Sequence, residues 1–207
     1  MSAFYRASTS CVRTAKFFPV STILDIPGVR ERISRLSVEE YHRLDEFNEN
    51  GRRTELIRGI VIEKMSKSPL HRNICSRLYK LLLAALPKGF TVWKEEPLTF
   101  ADSEPEPDIT VTVGDERDFA NAHPATAQLV VEVAVSSAAL DRENALLYAE
   151  ASIQEYWIIL GATRQVEVYR RPENGKYAEV RTFAVGDVII VAGVPNVRVA
   201  VADLFGD

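Results

Sequence analysis

The sequence has few of the residues that build metal clusters or covalent frameworks. Its 207 residues include two cysteines, Cys11 and Cys75, which are far apart and form no CxxC pair. A zinc site built from cysteines is therefore excluded, and a disulfide framework is disfavoured. No apolar run approaches the roughly 18 residues of a membrane-spanning helix. The first twenty residues show no signal-peptide pattern. These absences predict a cytoplasmic protein that does not contact a membrane.

The net charge is small, but it is unevenly distributed. Lys and Arg number 25 and Asp and Glu number 29, which gives a net charge of −4 and excludes a protein that binds polyanions by bulk charge alone. Residues 1–36 carry six basic and two acidic side chains. We therefore predict a basic N-terminal extension over residues 1–36, either loose or docked on a partner, and one domain over residues 37–207.

Hydrophobic periodicity predicts an α/β domain with a mixed sheet flanked by helices. Ser37 and Glu40 form a capping box that begins a helix stopped by Asn50-Gly51, and alternation around Gly59 predicts a hairpin. The remaining predicted segments are a helix over 69–86, a strand over 90–100 that is interrupted by Glu95-Glu96-Pro97, strands over 108–113 and 129–135, a helix over 137–151, strands over 155–160 and 166–170, and short antiparallel strands from 177 to 204.

Two carboxylates lie where a sheet core disfavours them. Glu132 interrupts an otherwise apolar run from Leu129 to Val135, which is typical of an inner strand buried on both faces. A charge there needs an ion-pair partner, hydrogen bonds or a metal. Asp108 follows Pro107 and begins another predicted strand. Two adjacent strands can aim both carboxylates at one point, where they would suit a hard divalent cation such as Mg²⁺.

Three further features are compatible with either a functional or a surface role. Glu55 shares a side of the predicted hairpin with Ile57, and it is either a third site carboxylate or a solvated residue. His71, near the start of the second helix, fits a helix cap or surface residue better than a base. Among the acidic residues before the strand at 108, all but Asp108 are compatible with a solvated loop; they are Asp102, Glu104 and Glu106.

The order and spacing of several short motifs resemble the PD-(D/E)xK nuclease superfamily, and more closely its restriction-endonuclease-like Uma family. The resemblance covers residues 37 to about 205. It rests on Ser37–Tyr41, Glu55–Gly59, Pro105–Asp108, Val131–Val133, Asp141-Arg142, Leu147–Ala149 and Glu155–Trp157. It implies a restriction-endonuclease-like αβββαβ core with a C-terminal antiparallel extension, and Mg²⁺- or Mn²⁺-dependent hydrolysis of DNA by a homodimer.

The resemblance also implies a role for individual residues. Asp108 and Glu132 would hold the metal, with Glu55 as a further catalytic carboxylate. The superfamily's lysine would lie two residues after the glutamate, where this chain has Ala134, or on the following helix, where it has Asn144. Asp141, Asn144 and Tyr148 share one helical face. Asn144 can orient water or phosphate but carries no positive charge, so Lys64 or Arg142 are the candidate substitutes.

The remaining positive charge is concentrated between Arg52 and Lys94, which span ten basic residues and only two acidic ones. This stretch is either a solvated face or a surface for phosphate backbones. Two functions stay open: a Mg²⁺-dependent endonuclease built on Glu55, Asp108 and Glu132, and a catalytically silent module of the same fold that binds nucleic acid or protein. The apolar run Val188–Val191 would favour a homodimer if it leaves a strand edge uncovered.

Overall fold

The computed structural model of the chain describes residues 25–45, 51–135 and 138–206. Contacts divide the chain into two units, residues 1–34 and 35–207. The described part of the first unit contains one short helix, α1 (Pro27–Arg30). Most of the predicted basic extension, and the predicted helix stop at Asn50, lie outside the described residues.

The second unit is built on a six-stranded sheet, and the sheet is mixed, as the sequence predicts. Its six strands lie side by side in the order in which they occur in the sequence, and only the third and fourth of them are parallel. A separate hairpin, β1 (Thr54–Ile57) and β2 (Ile60–Glu63), precedes the sheet. The sheet strands are β3 (Phe90–Lys94), β4 (Ile109–Val113), β5 (Leu129–Ala134), β6 (Glu155–Leu160), β7 (Gln165–Glu173) and β8 (Lys176–Ala184).

Two helices cover opposite faces of the sheet. Helix α2 (Val38–Asp45) precedes the hairpin. Helix α3 (Pro69–Ala85) buries Ile74, Leu78 and Leu82 in the cluster that contains alternate residues of β5, namely Leu129, Val131 and Val133. Helix α4 (Ala139–Glu150) buries Ala145 and Tyr148 in a second cluster with Val130 and Ala134. Because side chains alternate along a strand, Glu132 belongs to the face that α4 covers.

Two predicted segments need correction. The strand predicted over 90–100 ends at Lys94, because the backbone of Glu95 takes a left-handed conformation with φ of 59°. The tail is only partly a set of short antiparallel strands: β8 extends the main sheet, β9 (Val188–Ile190) pairs with β10 (Arg198–Ala200), and helix α5 (Val201–Phe205) follows. Five residues are too few for helical periodicity to be visible.

A buried ion pair ties the tail to the sheet. The carboxylate of Glu155, at the start of β6, is fully buried and accepts hydrogen bonds from Trp157 Nε1 at 2.6 Å and Arg170 at 2.8 Å. It also accepts a hydrogen bond from the backbone N–H of Ala192 at 2.5 Å. This carboxylate therefore belongs to the structural core.

Replacing one partner of this pair should destabilise the fold. Arg170→Ala leaves the Glu155 carboxylate buried without its cation, which typically costs about 3–5 kcal/mol. We expect urea denaturation to show a loss of that size in the free energy of unfolding. Arg171→Ala is the matched control, because Arg171 is exposed and its ion pair among the described residues is with the exposed Glu173. A loss below about 1 kcal/mol for Arg170→Ala would contradict this view of the pair.

Candidate active site

The hairpin β1–β2 lies beside the segment that leads to Asp108. Its two-residue turn, Arg58-Gly59, has positive φ at both positions (51° and 77°), as a type I′ turn requires. Leu56 and Glu104 exchange both backbone hydrogen bonds, at 3.3 and 2.7 Å. The N–H of Gly59 donates to the carbonyl of Asp102 at 2.8 Å. These bonds place Glu55 against the 104–108 segment.

Asp108 and Glu132 meet through the pairing of β4 with β5. The register pairs Ile109 with Val131 in antiparallel strands, so Asp108, just before β4, lies opposite Glu132. The N–H of Asp108 donates to Glu132 Oε2 at 3.4 Å, and the N–H of Val133 donates to Asp108 Oδ2 at 2.9 Å. The two carboxylates predicted from sequence are thus neighbours.

Two basic side chains from the segment around the start of α3 contact the Asp108 carboxylate. Lys67 Nζ is 2.9 Å from Oδ1, and His71 Nε2 is 2.9 Å from Oδ2. Burial raises the pKa of Asp108, but the hydrogen bonds and charges of His71 and Lys67 outweigh it and lower the pKa to about 2. Asp108 is therefore ionised at neutral pH. The interpretation of His71 as a cap or surface residue is wrong: its side chain is mostly buried and contacts the site.

His71 links Asp108 to the buried thiol of Cys75. Cys75 Sγ is 3.5 Å from His71 Nδ1, one helical turn away. Burial and the charge of Asp108 raise the pKa of the Cys75 thiol, so the thiol stays protonated and can donate to Nδ1 while Nε2–H donates to Asp108. Ligand atoms of the three side chains lie within 4.8 Å of one another and form a possible metal-binding group. Because the thiol is protonated, these three side chains are better suited to fixing the orientation of the His71 ring than to binding a metal ion.

Glu132 lies in an acidic environment. Tyr148, on α4, donates its hydroxyl to Glu132 Oε1 at 3.2 Å. Burial and the charge of Asp108, together with Asp141 and Glu55, raise the pKa of Glu132 well above its usual value. Burial, Asp108 and Glu55 also raise the pKa of Asp141, to about 6. The site therefore concentrates acidic side chains from four separate parts of the chain: β1, the residue before β4, β5 and α4.

Glu55 is buried on β1 and completes this arrangement. Its Oε2 accepts from the N–H of Glu106 at 3.4 Å and lies 3.5 Å from Lys64 Nζ. Lys64 also donates to the carbonyl of Glu106. The interpretation of Glu55 as a solvated residue is thus excluded, and Glu55 is one of the acidic residues that raise the pKa of Glu132.

The residues at the predicted lysine positions have different surroundings. Ala134 is buried in the cluster beneath α4 and is not part of the polar site. Asn144 is buried on α4, between the site residues Asp141 and Tyr148 in sequence. Arg142 is exposed and makes two hydrogen bonds to Glu167 at 3.0 and 2.6 Å, so its charge is used elsewhere.

Residues of the predicted acidic loop and of the basic stretch make specific contacts within the fold. Glu104 is buried and binds His42 and Thr99, both at 2.7 Å, so it is not a solvated loop residue. Glu106 pairs with Arg53. Ion pairs also engage most of the basic stretch, including Arg52 with Glu63, Arg58 with Glu150, and Lys94 with Glu95. Within the described ranges, four exposed cations of this stretch make no ion pair: Arg72, Arg77, Lys80 and Lys88.

The donor atoms fit a hard divalent cation. Asp108 Oδ2 already accepts two hydrogen bonds, whereas Oδ1 accepts one from Lys67 and keeps a lone pair. Asp108 Oδ1 and the Glu132 carboxylate supply oxygen ligands of the kind that Mg²⁺ and Mn²⁺ prefer. A cation between them would also relieve the repulsion that raises the pKa of Glu132.

The sequence pattern of one family matches residues 38–202, and the description of that family is Uma2, "Putative restriction endonuclease". The chain belongs to the Uma2 family. This membership confirms the resemblance inferred from the motifs and supports a nuclease-like function for the Uma2 domain. No curated protein is similar enough in sequence to count as a relative.

A solved structure shows the same fold as this Uma2 domain. It is the crystal structure of a "putative nuclease belonging to DUF820" from Anabaena variabilis ATCC 29413, with a TM-score of 0.70 and 22% sequence identity. The match covers 83% of this chain and 98% of that chain. The predicted fold class is thereby confirmed. None of the described helices of the Uma2 protein is long and apolar enough to span a membrane.

Proposed function

We propose that the chain is a Mg²⁺-dependent endonuclease that hydrolyses phosphodiester bonds of DNA, with Mn²⁺ as an alternative ion. The observation that carries this proposal is the contact between Asp108 and Glu132, with the carboxylate of Glu55 close by. Asp108 and Glu132 would hold the cation, and Glu55 would assist them. Oxygen-only ligation at a phosphate-processing site is typical of Mg²⁺.

In the proposed reaction, a water oxygen forms a bond to phosphorus while one P–O ester bond breaks. One water proton goes to the leaving hydroxyl, and the other stays with the new phosphate or passes to solvent. Bound Mg²⁺ would polarise the phosphate and lower the pKa of the attacking water. His71 and Lys67 keep Asp108 ionised and oriented, and Tyr148 fixes the carboxylate of Glu132.

Nucleic acid is the proposed substrate because exposed cations accompany the acidic site. Arg72 follows His71 directly in the first turns of α3, and Lys80 lies two turns further along the same helix. Both are exposed and make no ion pair within the described ranges. Such side chains can neutralise backbone phosphates without reading the base sequence.

Removal of metal tests the proposed function. Purified full-length protein should nick supercoiled plasmid DNA in the presence of Mg²⁺ or Mn²⁺. EDTA should abolish nicking, and excess Mg²⁺ should restore it, because the carboxylates alone supply no Lewis acid. Gel electrophoresis of plasmid forms measures the rate. Nicking that persists unchanged in EDTA would contradict a metal-dependent site.

A second candidate is a silent module of the same fold that binds nucleic acid or protein. The observation that favours it is Asn144, which carries no charge at the position the family resemblance assigns to a lysine. Such a module would bind DNA, as measured by fluorescence anisotropy, without nicking it in Mg²⁺ or Mn²⁺. The plasmid assay therefore separates the two candidates.

We also propose that the chain acts as a homodimer, since two copies would cut both strands of a duplex. In β9 and the residue after it, Val188 and Ile190 are exposed, whereas Ile189 and Val191 are buried. The apolar run thus offers two outward side chains rather than four. This narrower surface still supports the proposed pairing of two copies.

A further inference from the structure

Acidic side chains predominate in the proposed site. Four acidic side chains contribute to it: Glu55, Asp108, Glu132 and Asp141. Hydrolysis of a phosphodiester adds negative charge in the transition state, which a nearby cation stabilises. Asn144 cannot provide that cation, and Arg142 is held by Glu167. The cations around Asp108 and the hairpin therefore have to be compared.

Lys67 is committed to carboxylates on two sides. Its Nζ lies 2.9 Å from Asp108 Oδ1 and 3.1 Å from Glu95 Oε1. Burial alone would lower the pKa of Lys67, but these two carboxylates raise it above the usual value. The charge of Lys67 is therefore compensated where it lies, and its role is to hold Asp108.

Lys64 is placed differently. It directly follows β2, and its backbone N–H donates to the carbonyl of Arg53 at 2.8 Å, which fixes it across the hairpin. Its side chain is only 14% exposed, and Nζ contacts Glu55 and the carbonyl of Glu106, two residues before Asp108. Within the described part of the chain, two of the three ammonium protons have partners, so one remains for a ligand.

The positive charge of Lys64 also acts on acidic side chains outside the hairpin. Burial and Asp108 raise the pKa of Glu132, and Lys64 is the strongest influence in the opposite direction. Lys64 likewise opposes the effects of burial, Asp108 and Glu55 on the pKa of Asp141, which is on α4. One ammonium on the hairpin therefore acts on carboxylates of β5 and α4.

We propose that Lys64 supplies the positive charge that the family resemblance places at Asn144, so that the charge has moved from helix α4 to the β1–β2 hairpin. The inference rests on the proposed nuclease function. Lys64 would approach the scissile phosphate from the side of Glu55, whereas a lysine at position 144 would approach it from α4. Lys64 would stabilise the added negative charge and would not bind the metal.

The test uses full-length protein with Lys64→Met, Asn144→Lys and the double variant. Met keeps the apolar stem of Lys64 and removes only its charge. We expect Lys64→Met to reduce Mn²⁺-dependent plasmid nicking about 100-fold. Adding Asn144→Lys to Lys64→Met should raise the nicking rate at least tenfold above that of Lys64→Met alone. Lys64→Arg should keep most activity, and Lys176→Met, at an exposed lysine of β8, is the matched control.

Metal affinity gives a second readout. Lys64 repels a cation at the acidic site, so Lys64→Met should bind Mn²⁺ severalfold more tightly in isothermal titration calorimetry although it cleaves more slowly. A lysine with only a structural role would weaken both properties when it is replaced. Thermal denaturation of each variant shows whether it is folded at the assay temperature, and Lys64→Gln, which also removes the charge, repeats the test if Lys64→Met is not.

The outcomes separate the inference from the proposed function. If wild-type protein cleaves and Lys64→Met cleaves within threefold of it, the inference is wrong and the nuclease function stands. If no variant cleaves in Mg²⁺ or Mn²⁺, the proposed function fails. The calorimetry then tests whether Lys64 places its positive charge at the proposed metal site. Unchanged or weaker Mn²⁺ binding by Lys64→Met overturns that placement, and tighter binding supports it.

Discussion

Asp108→Asn is expected to reduce metal-dependent nicking by about 1,000-fold or more, because it removes the ionised ligand on which the proposed ion depends. The variant also leaves Lys67 and His71 without their carboxylate. Because folding lowers the pKa of Asp108 to about 2, ionised Asp108 stabilises the folded state. This stabilisation is present above the unfolded pKa of about 4 and is lost as the pH falls towards 2. The difference in stability from wild type should therefore be present at pH 7 and vanish near pH 2.

The plasmid assay and urea denaturation at several pH values check both parts of this expectation. Glu143→Gln is the matched control, because it neutralises an exposed carboxylate on α4 and should change neither property. Undiminished cleavage by folded Asp108→Asn would show that the reactive site lies elsewhere. Equal loss of cleavage in Glu143→Gln would point to a general effect of charge.

Glu132→Gln should remove activity to a similar extent but have the opposite effect on stability. Burial and the charge of Asp108 raise the pKa of Glu132, so ionised Glu132 destabilises the metal-free fold. The penalty is absent below the unfolded pKa of about 4.5, grows as the pH rises above it and is complete above the folded pKa. Glu132→Gln should therefore raise Tm at pH 8 by about 2–4 °C, or about 1 kcal/mol, and leave it unchanged at pH 4.

Calorimetric melting of metal-free protein at the two pH values measures this shift. Saturating Mn²⁺ should stabilise wild-type protein and have little effect on Glu132→Gln, because the variant lacks one of the two proposed ligands. A variant that is less stable than wild type at pH 8 would show that the hydrogen bonds to Asp108 and Tyr148 matter more than the repulsion. A Tm gain that persists at pH 4 would exclude ionisation as its cause.

Local sequence pattern was sufficient for most of the sheet and for its two central carboxylates. Glu132 was visible because it interrupts an apolar run, and Asp108 because it begins a strand after proline. Both signals lie within seven residues, which is the scale of one strand. Their proximity followed from strand pairing and is borne out by the register of β4 and β5.

The partners of these carboxylates could not be predicted in the same way. Lys67 and His71 are 41 and 37 positions from Asp108, and Glu104 is 62 positions from His42. No local period marks such pairs. For the same reason, the basic stretch suggested a charged face, although most of its members neutralise acids elsewhere in the fold.

The hairpin β1–β2 brings an acid and a base to the site on one small element. It is bound to the 102–104 segment by three backbone hydrogen bonds and is separate from the six-stranded sheet. Any local opening of the hairpin would withdraw Glu55 and Lys64 together, so the formal charge of the remaining site would not change. Such an opening would change the long-range electrostatic potential of the site very little. Hydrogen exchange at the backbone amides of Leu56 and Gly59 would report it directly.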